Sequence, residues 1–400
     1  MDFRSAQLLG DGHGALDRQA REEKMLRLDV PRASTLVVGA ATAIVVSLAF
    51  GLMNPVPALA QTASDCAPAG NVKFICNAID VEDWAPIPHS HWVIGSDLAP
   101  AGVQGYLQLF DTRNDTVAKV LPEDIAIQPD KQNYPDCPGP VDMKVFGPHG
   151  LDLTRSGGQH PTLYAINHGG RESVEVFAVD LTGAKPKFTW TGCVVAPHGF
   201  WPDGVASLPE GGFIATSLWD PTDSNRMDKL ENGKPVGALD EWHAGKGWTE
   251  VPGSAGLSGP NGVVISPDGH QVYVAVWSGH EVARISRGEG TPKVATVPTG
   301  FLTDNLRWSP DGRMIFVGGQ DDSVKDVVGC FESKAANCNV PFKVDIMSPR
   351  TLKLTTVVKS GVYGVMGAGT GAIEENHHIW VSSFRADRIG IFPAPRMPGS

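Results

Sequence analysis

Several familiar layouts are missing from this 400-residue chain. It contains no Cys-x-x-Cys pair, which argues against the usual zinc and thiol-redox sites. It contains no Gly-x-Ser-x-Gly and no His-Glu-x-x-His, so neither a serine-hydrolase elbow nor a zincin helix is expected. No stretch sustains a helical period between capping residues. Lys and Arg are scattered along the chain. Phosphate binding rests on grouped cations, so a nucleic-acid partner is not expected. The formal net charge of −11 is compatible with binding a cation, although such surfaces also serve solubility.

What the chain has in quantity is turn chemistry: 46 Gly and 31 Pro, with an ordinary 42% of hydrophobic residues. That mix suits a fold of many short strands and tight turns with a sizeable core. Short alternating segments recur at His91 to Leu98, Thr162 to His168, Ser173 to Asp180, Gln271 to Trp277, Met314 to Gly319 and His378 to Ser383. They come in units of roughly 40 to 55 residues, the spacing of propeller blades. The unit is plainest where Gly259-Pro-Asn-Gly-Val-Val-Ile-Ser-Pro-Asp-Gly269 leads into Gln271 to Trp277, and where Thr303-Asp-Asn-Leu-Arg-Trp-Ser-Pro-Asp-Gly312 leads into Met314 to Gly319. In each Ser-Pro-Asp-Gly turn, Pro presets one φ and Gly supplies a positive one. A looser copy starts at Pro202-Asp-Gly, and further units lie near 80–120, 147–199 and 362–395. The fold class is therefore all-β, a six-bladed β-propeller over 61–400, with a strand near Cys76 closing the ring. The segments 121–146 and 219–240 read as loops across one face.

Residues 1–60 read as a lead followed by a signal or anchor. Leu36 to Met53 is an uncharged apolar run behind Arg27 and Arg32, and Ala58-Leu59-Ala60 is a cleavage pattern. The alternative is a retained anchor, since about 18 apolar residues just reach spanning length. The first 24 residues are polar and charged, and Met25 would make a more natural start for a signal peptide. A periplasmic or secreted location is expected, with membrane contact only through an uncleaved 36–53. Six cysteines (Cys66, Cys76, Cys137, Cys193, Cys330, Cys338) all follow Ala60. An even count in an oxidising compartment suggests disulfides, and six allow 15 pairings. Cys66–Cys76 and Cys330–Cys338 are the local pairs, which leaves Cys137 for Cys193.

In a propeller the innermost strand of each blade starts at the mouth of the central channel. Here those starts carry Glu82-Asp83, Pro202-Asp203, Pro260-Asn261 and Asp304-Asn305. Carboxylates and Asn carbonyls are hard oxygen donors of the type Ca²⁺ prefers. Any single pair is ordinary turn chemistry; four in register favour a metal site.

From about Glu82 onward the chain resembles the paraoxonase/arylesterase family of calcium-dependent six-bladed propellers. The resemblance is carried by Phe146-Gly-Pro-His-Gly-Leu151, by Ile166-Asn-His-Gly-Gly-Arg-Glu-Ser-Val-Glu-Val-Phe177, and by the polar pairs. It implies two Ca²⁺ ions: a catalytic one on Glu82, Asn261, Asp304 and Asn305, and a structural one on Asp83, Asp203 and the Leu151 carbonyl. It also implies that His149, oriented by His168, is the base that activates water against an ester or lactone carbonyl. Pro202 stands where the family has an Asn ligand, so a lost ligand is expected there. His89, His91, His198, His377 and His378 have no such support and read as surface or packing residues. Trp84, Trp201 and Trp277 lie near blade entrances, where they suit an apolar pocket. The substrate expected is a small ester or lactone. Two alternatives stand beside it: a non-catalytic binding propeller, and a sugar-lactone hydrolase like the gluconolactonases, which would need a polar pocket.

Overall fold

The computed structural model describes residues 66–155, 158–333 and 335–395. The expected signal segment lies outside them. Six sheets, antiparallel apart from one added strand in the second, follow one another in chain order, so the fold is a six-bladed propeller. The innermost strands are Val81–Pro86, Pro148–Leu153, Pro202–Ser207, Pro260–Ile265, Leu302–Trp308 and Gly369–Glu375. Each begins one blade, numbered 1 to 6 here.

The ring closes by mixing the chain's two ends. Lys73–Cys76 is the outermost strand of blade 6, antiparallel to Arg388–Pro393. Asp80 then locks blade 1 to blade 6: its N–H donates to the Ala386 carbonyl at 2.7 Å, and its carboxylate accepts from Ala386 N–H and Arg385. The expected strand beside Cys76 is thus present. All three cysteine pairs form as expected, with Cα–Cα distances of 6.0 Å for Cys66–Cys76, 5.1 Å for Cys137–Cys193 and 6.0 Å for Cys330–Cys338. Three disulfides suit an oxidising compartment. No helix among the described residues is long and apolar enough to cross a membrane.

The two segments read as loops hold more structure than expected. Within 121–146, Ile125–Ile127 adds a fifth strand to blade 2, parallel to Lys187–Val195. Within 219–240 lies the helix Arg226–Glu231, and a second helix, Val324–Glu332, interrupts blade 5. The second has a visible start signal, since the Ser323 hydroxyl accepts from Asp326 N–H. Both helices leave the second strand of their blade, on the face where the inner strands begin. There Met227, Leu230, Val324 and Val327 pack with Leu98, Trp277 and Phe384 in one apolar cluster.

One irregularity recurs in every blade. Near its start each inner strand spends three residue steps against two on its neighbour: Val81 to Trp84, Pro148 to Leu151, Pro202 to Val205, Pro260 to Val263, Thr303 to Leu306 and Gly369 to Ala372. An extra residue of this kind is a β-bulge, which re-aims the side chains inside it. The second bulge residue is glycine in four blades: Gly150, Gly204, Gly262 and Gly371. The backbones crowd there. A Cβ at Gly262 would lie 2.6 Å from the Asp304 carbonyl, and one at Gly204 would lie 2.7 Å from the Asn261 carbonyl. Gly262→Ala should therefore destabilise the protein by about 2–3 kcal/mol through overpacking. Gly329→Ala, on an exposed helical turn with open space, should be neutral or stabilise by up to ~1 kcal/mol. Denaturant melts of the two variants measure both effects.

Candidate metal centre and its histidine pair

The first bulge residues of the six blades are Glu82, His149, Asp203, Asn261, Asp304 and Thr370, and all six are buried. The repeated register sets them at equivalent positions around the channel. The bulges are satisfied locally, with side chains of the second strand accepting from the freed N–H groups. Ser96 accepts from Asp83 at 3.0 Å, Thr216 from Gly204 at 2.8 Å and Ser382 from Gly371 at 3.0 Å. The backbone is thereby pinned and the first bulge side chains are left for the channel.

Three oxygens of this ring are buried without any hydrogen-bond partner: Glu82 Oε2, Asn261 Oδ1 and Asp304 Oδ1. Burying an acceptor unpaired costs about 1–3 kcal/mol each. All three are hard oxygen donors, the kind a divalent cation accepts, and they come from three blades at one level. Asp304 is steadied by a chain unseen in the sequence. Gln320 donates to Asp304 Oδ2 at 2.5 Å and to the Gly369 carbonyl at 3.0 Å, while Trp277 donates to Gln320 Oε1 at 2.9 Å. Asn305 faces otherwise than expected. Its amide donates to Glu82 Oε1 at 2.6 Å, so it holds Glu82 in place and would have to turn its amide over to ligate an ion.

The register corrects the reading of Pro202. Pro202 pairs with Ser217 at the foot of the bulge, as Pro148 pairs with Asn167 and Pro260 with Val276. Asp203 is thus the ring residue of blade 3, equivalent to Asn261. An oxygen-bearing side chain therefore stands at the ring position of blade 3, and Asp203 is level with Glu82 and Asp304 instead of with Asp83. The Asp83 position in blade 3 is Gly204. Asp83 itself and the Leu151 carbonyl, expected around a second ion, are engaged by the Arg307 guanidinium; Arg307 bonds Leu151 O at 2.6 Å.

The two histidines expected to act together do meet. His149 Nδ1 lies 2.8 Å from His168 Nε2, and His168 Nδ1 lies 2.6 Å from Glu172 Oε2. An ionised carboxylate only accepts, so His168 carries its proton on Nδ1 and accepts at Nε2. His149 then donates from Nδ1, and its Nε2 points at the ring, 3.4 Å from Glu82 Oε2. Burial opposes charge on His149, but the carboxylates of Glu82, Asp203 and Asp304 outweigh it and push its pKa up to about 10. Burial lowers that of His168. Burial also pushes Asp203 up to about 7 and Asp304 well above its ordinary range, with Glu82 adding repulsion.

Asn167 holds this corner together. Its Oδ1 accepts from Gly147 and Gly169, and its amide donates to the Arg171 carbonyl at 2.9 Å. Trp201 stacks on His168 with centroids 4.3 Å apart and on Trp219 at 4.7 Å, forming an aromatic wall. Trp84 is different: fully buried, it packs on Phe110 and Trp380 between blades 1 and 6. A second acidic group, Glu210, Glu241 and His243, is already bridged by Arg287.

No family model and no curated protein matches the sequence. Among solved structures, the chain is similar to a luciferin-regenerating enzyme at 11% identity over 82% of this chain and 95% of that one, with a TM-score of 0.46. It is similar to a proposed 6-phosphogluconolactonase from Bacteroides fragilis at 14% identity, 76% of each chain and a TM-score of 0.41. A virginiamycin B lyase from Staphylococcus aureus gives 11% identity, 80% and 98% coverage and a TM-score of 0.41. Likenesses this distant bear on no residue or activity of this chain.

The ring makes a two-sided prediction. Without a cation, Glu82, Asp203 and Asp304 oppose one another with only His149 to offset them, so Asp304→Asn should stabilise the chelated protein by about 1–3 kcal/mol. With millimolar Ca²⁺ present the same substitution should destabilise it relative to wild type. Thermal melts with chelator and with Ca²⁺ should show the change of sign.

Proposed function

We propose that this protein is a calcium-dependent hydrolase of small esters or lactones. The observation that carries the reading is the meeting of two features in one channel: buried oxygens of Asn261 and Asp304 without a hydrogen-bond partner, and His149 Nε2 turned toward the same ring, 3.4 Å from Glu82 Oε2. Glu82, Asp203, Asn261 and Asp304 would hold the ion. A bound Ca²⁺ supplies Lewis-acid polarisation of the carbonyl and stabilises the developing oxyanion.

The chain's own residues supply the proton chemistry. The carboxylates of Glu82, Asp203 and Asp304 favour the imidazolium form of His149; a divalent ion held by them would offset that support, and Nε2 would keep its lone pair. Nε2 then takes the proton of the attacking water, while the Nδ1–H donates to His168. His168 remains oriented by Glu172, which raises the basicity of the pair. Trp201 and Trp219 offer a flat apolar face beside the histidines. This favours an aromatic or aliphatic acyl or leaving group over a sugar, and so favours an arylesterase or lactonase over the gluconolactonase-like alternative.

The disulfide-intact full chain would be assayed on phenyl acetate and a panel of lactones. Turnover should vanish on chelation, return with Ca²⁺, and be absent in Asn261→Ala. His149→Gln should lower kcat about 10²–10⁴-fold. Glu172→Gln should lower kcat less and move the acidic limb of the kcat/KM profile to lower pH, because the carboxylate that raised the imidazole pKa is gone. A folded protein that hydrolyses no ester or lactone in Ca²⁺ would exclude this reading and leave the binding propeller.

A further inference from the structure

The channel holds a second polar level one residue beyond the ring, and its chemistry is complete as it stands. The residues there are Asp83, Gly150, Gly204, Gly262, Asn305 and Gly371, a single carboxylate among four glycines. Every contact of that carboxylate is filled. Asp83 Oδ1 accepts from Trp84 N–H at 2.8 Å; Oδ2 accepts from Leu151 N–H at 2.8 Å and from Arg307 Nη2. Arg307 comes from the inner strand of blade 5 and is 6% exposed. The same Nη2 donates to the Leu151 carbonyl at 2.6 Å. Its Nε donates to the Trp84 carbonyl at 2.7 Å and its Nη1 to the Leu306 carbonyl at 2.8 Å.

We propose that Arg307 is a built-in cation standing where a second metal ion would otherwise sit, so that this chain binds one divalent ion, at the ring, and none at Asp83. A guanidinium keeps its charge at any accessible pH and spreads it over several donors, so it can neutralise a buried carboxylate and cap carbonyls from several blades at once. Arg307 reaches blade 1 through Trp84 and Asp83, blade 2 through Leu151, and its own blade 5 through Leu306. A metal ion brought to Asp83 would have to displace this network or sit beside a fixed positive charge at a buried position, where screening is weak. The ring differs in the opposite sense, with three acceptor oxygens left open. The inference of one ion rests on the cation-binding reading of the ring; the inference of none at Asp83 does not.

Calcium bound per chain would be counted after dialysis of the full, disulfide-intact protein, alongside melts in chelator and in Ca²⁺. Wild type should hold one ion, and Asn261→Ala/Asp304→Asn should hold none. Arg307→Lys should respond to Ca²⁺ as wild type does. Arg307→Ala should melt lower in chelator and gain more from Ca²⁺ than wild type gains, since the vacated Asp83 and carbonyls then accept an ion. Two ions in wild type, one ion kept by the ring variant, or an Arg307→Ala that responds to Ca²⁺ no more than wild type would each overturn the proposal. If Arg307→Ala does not fold, the ion counts of wild type and the ring variant decide alone. A wild type with no ion and an Arg307→Ala that gains a Ca²⁺ response would sink the ring reading and uphold the role of Arg307.

Discussion

The constraint beneath everything described here is the extra residue that every inner strand carries at the channel mouth. A regular strand alternates its side chains between two faces, so it could not aim successive residues at one axis. The bulge breaks the alternation once per blade and turns one side chain inward, six times around the ring. The same crowding brings neighbouring backbones so close that the next position tolerates little beyond glycine. Where that position is not glycine, at Asp83 and Asn305, the side chain is bound to a partner across the channel: Asp83 to Arg307, Asn305 to Glu82. Geometry therefore sorts the channel into a level that can receive a ligand and a level that is already filled.

The two levels handle negative charge in opposite ways. At Asp83 the charge is neutralised within the protein, by a guanidinium that also ties blades 1, 2 and 5 together. At the ring, Glu82, Asp203 and Asp304 gather with His149 as the one facing cation, and burial resists the ionisation of Asp203 and Asp304. Such an arrangement is unfavourable in the free protein, and it persists because the surrounding propeller holds the backbone by its ladders, by Ser96, Thr216 and Ser382 at the bulges, and by Gln320 behind Asp304. Destabilisation is left uncompensated at one level beside full compensation one residue away, and that contrast is what the proposed ligand role of the ring rests on.

Much of the fold was legible because turns repeat. The Ser-Pro-Asp-Gly copies after Ile265 and Trp308 fix blades 4 and 5, and the spacing extends the count to six. The four polar pairs were legible for the same reason. Pro202 was misread although the sequence held the correction: Pro202-Asp-Gly and Pro260-Asn-Gly are the same tripeptide frame, which aligns Asp203 with Asn261. Arg307 carried a fainter signal, a charge between Leu306 and Trp308, which are buried or packed in the core. Its partners, 223 and 224 residues away at Trp84 and Asp83, were beyond any local pattern. The helix at Val324–Glu332 is short, and its signals were faint: the helical spacing of Val324, Val327 and Cys330, and the Ser323 cap. Glu172 and Gln320 had no signal at all, since each matters only through the side chain it meets after folding.

The histidine pair makes sense of how a ring so enclosed could exchange protons. The mouth of the channel lies under an apolar cluster that includes Trp277, Leu230 and Phe384, which is a poor path for a hydrated proton. His149 is buried, with its Nε2 at the ring and its Nδ1 on His168. His168 is partly buried and ends on Glu172, whose side chain is 35% exposed. The three groups form one line of hydrogen bonds, at 2.8 and 2.6 Å, from the ring-facing imidazole of His149 to the partly exposed Glu172. Trp201, stacked flat on His168, walls that line off sideways. A proton taken at Nε2 therefore has a hydrogen-bonded exit through Nδ1 that does not cross the apolar roof. A solitary histidine facing the ring, without His168 and Glu172 behind it, would lack that exit.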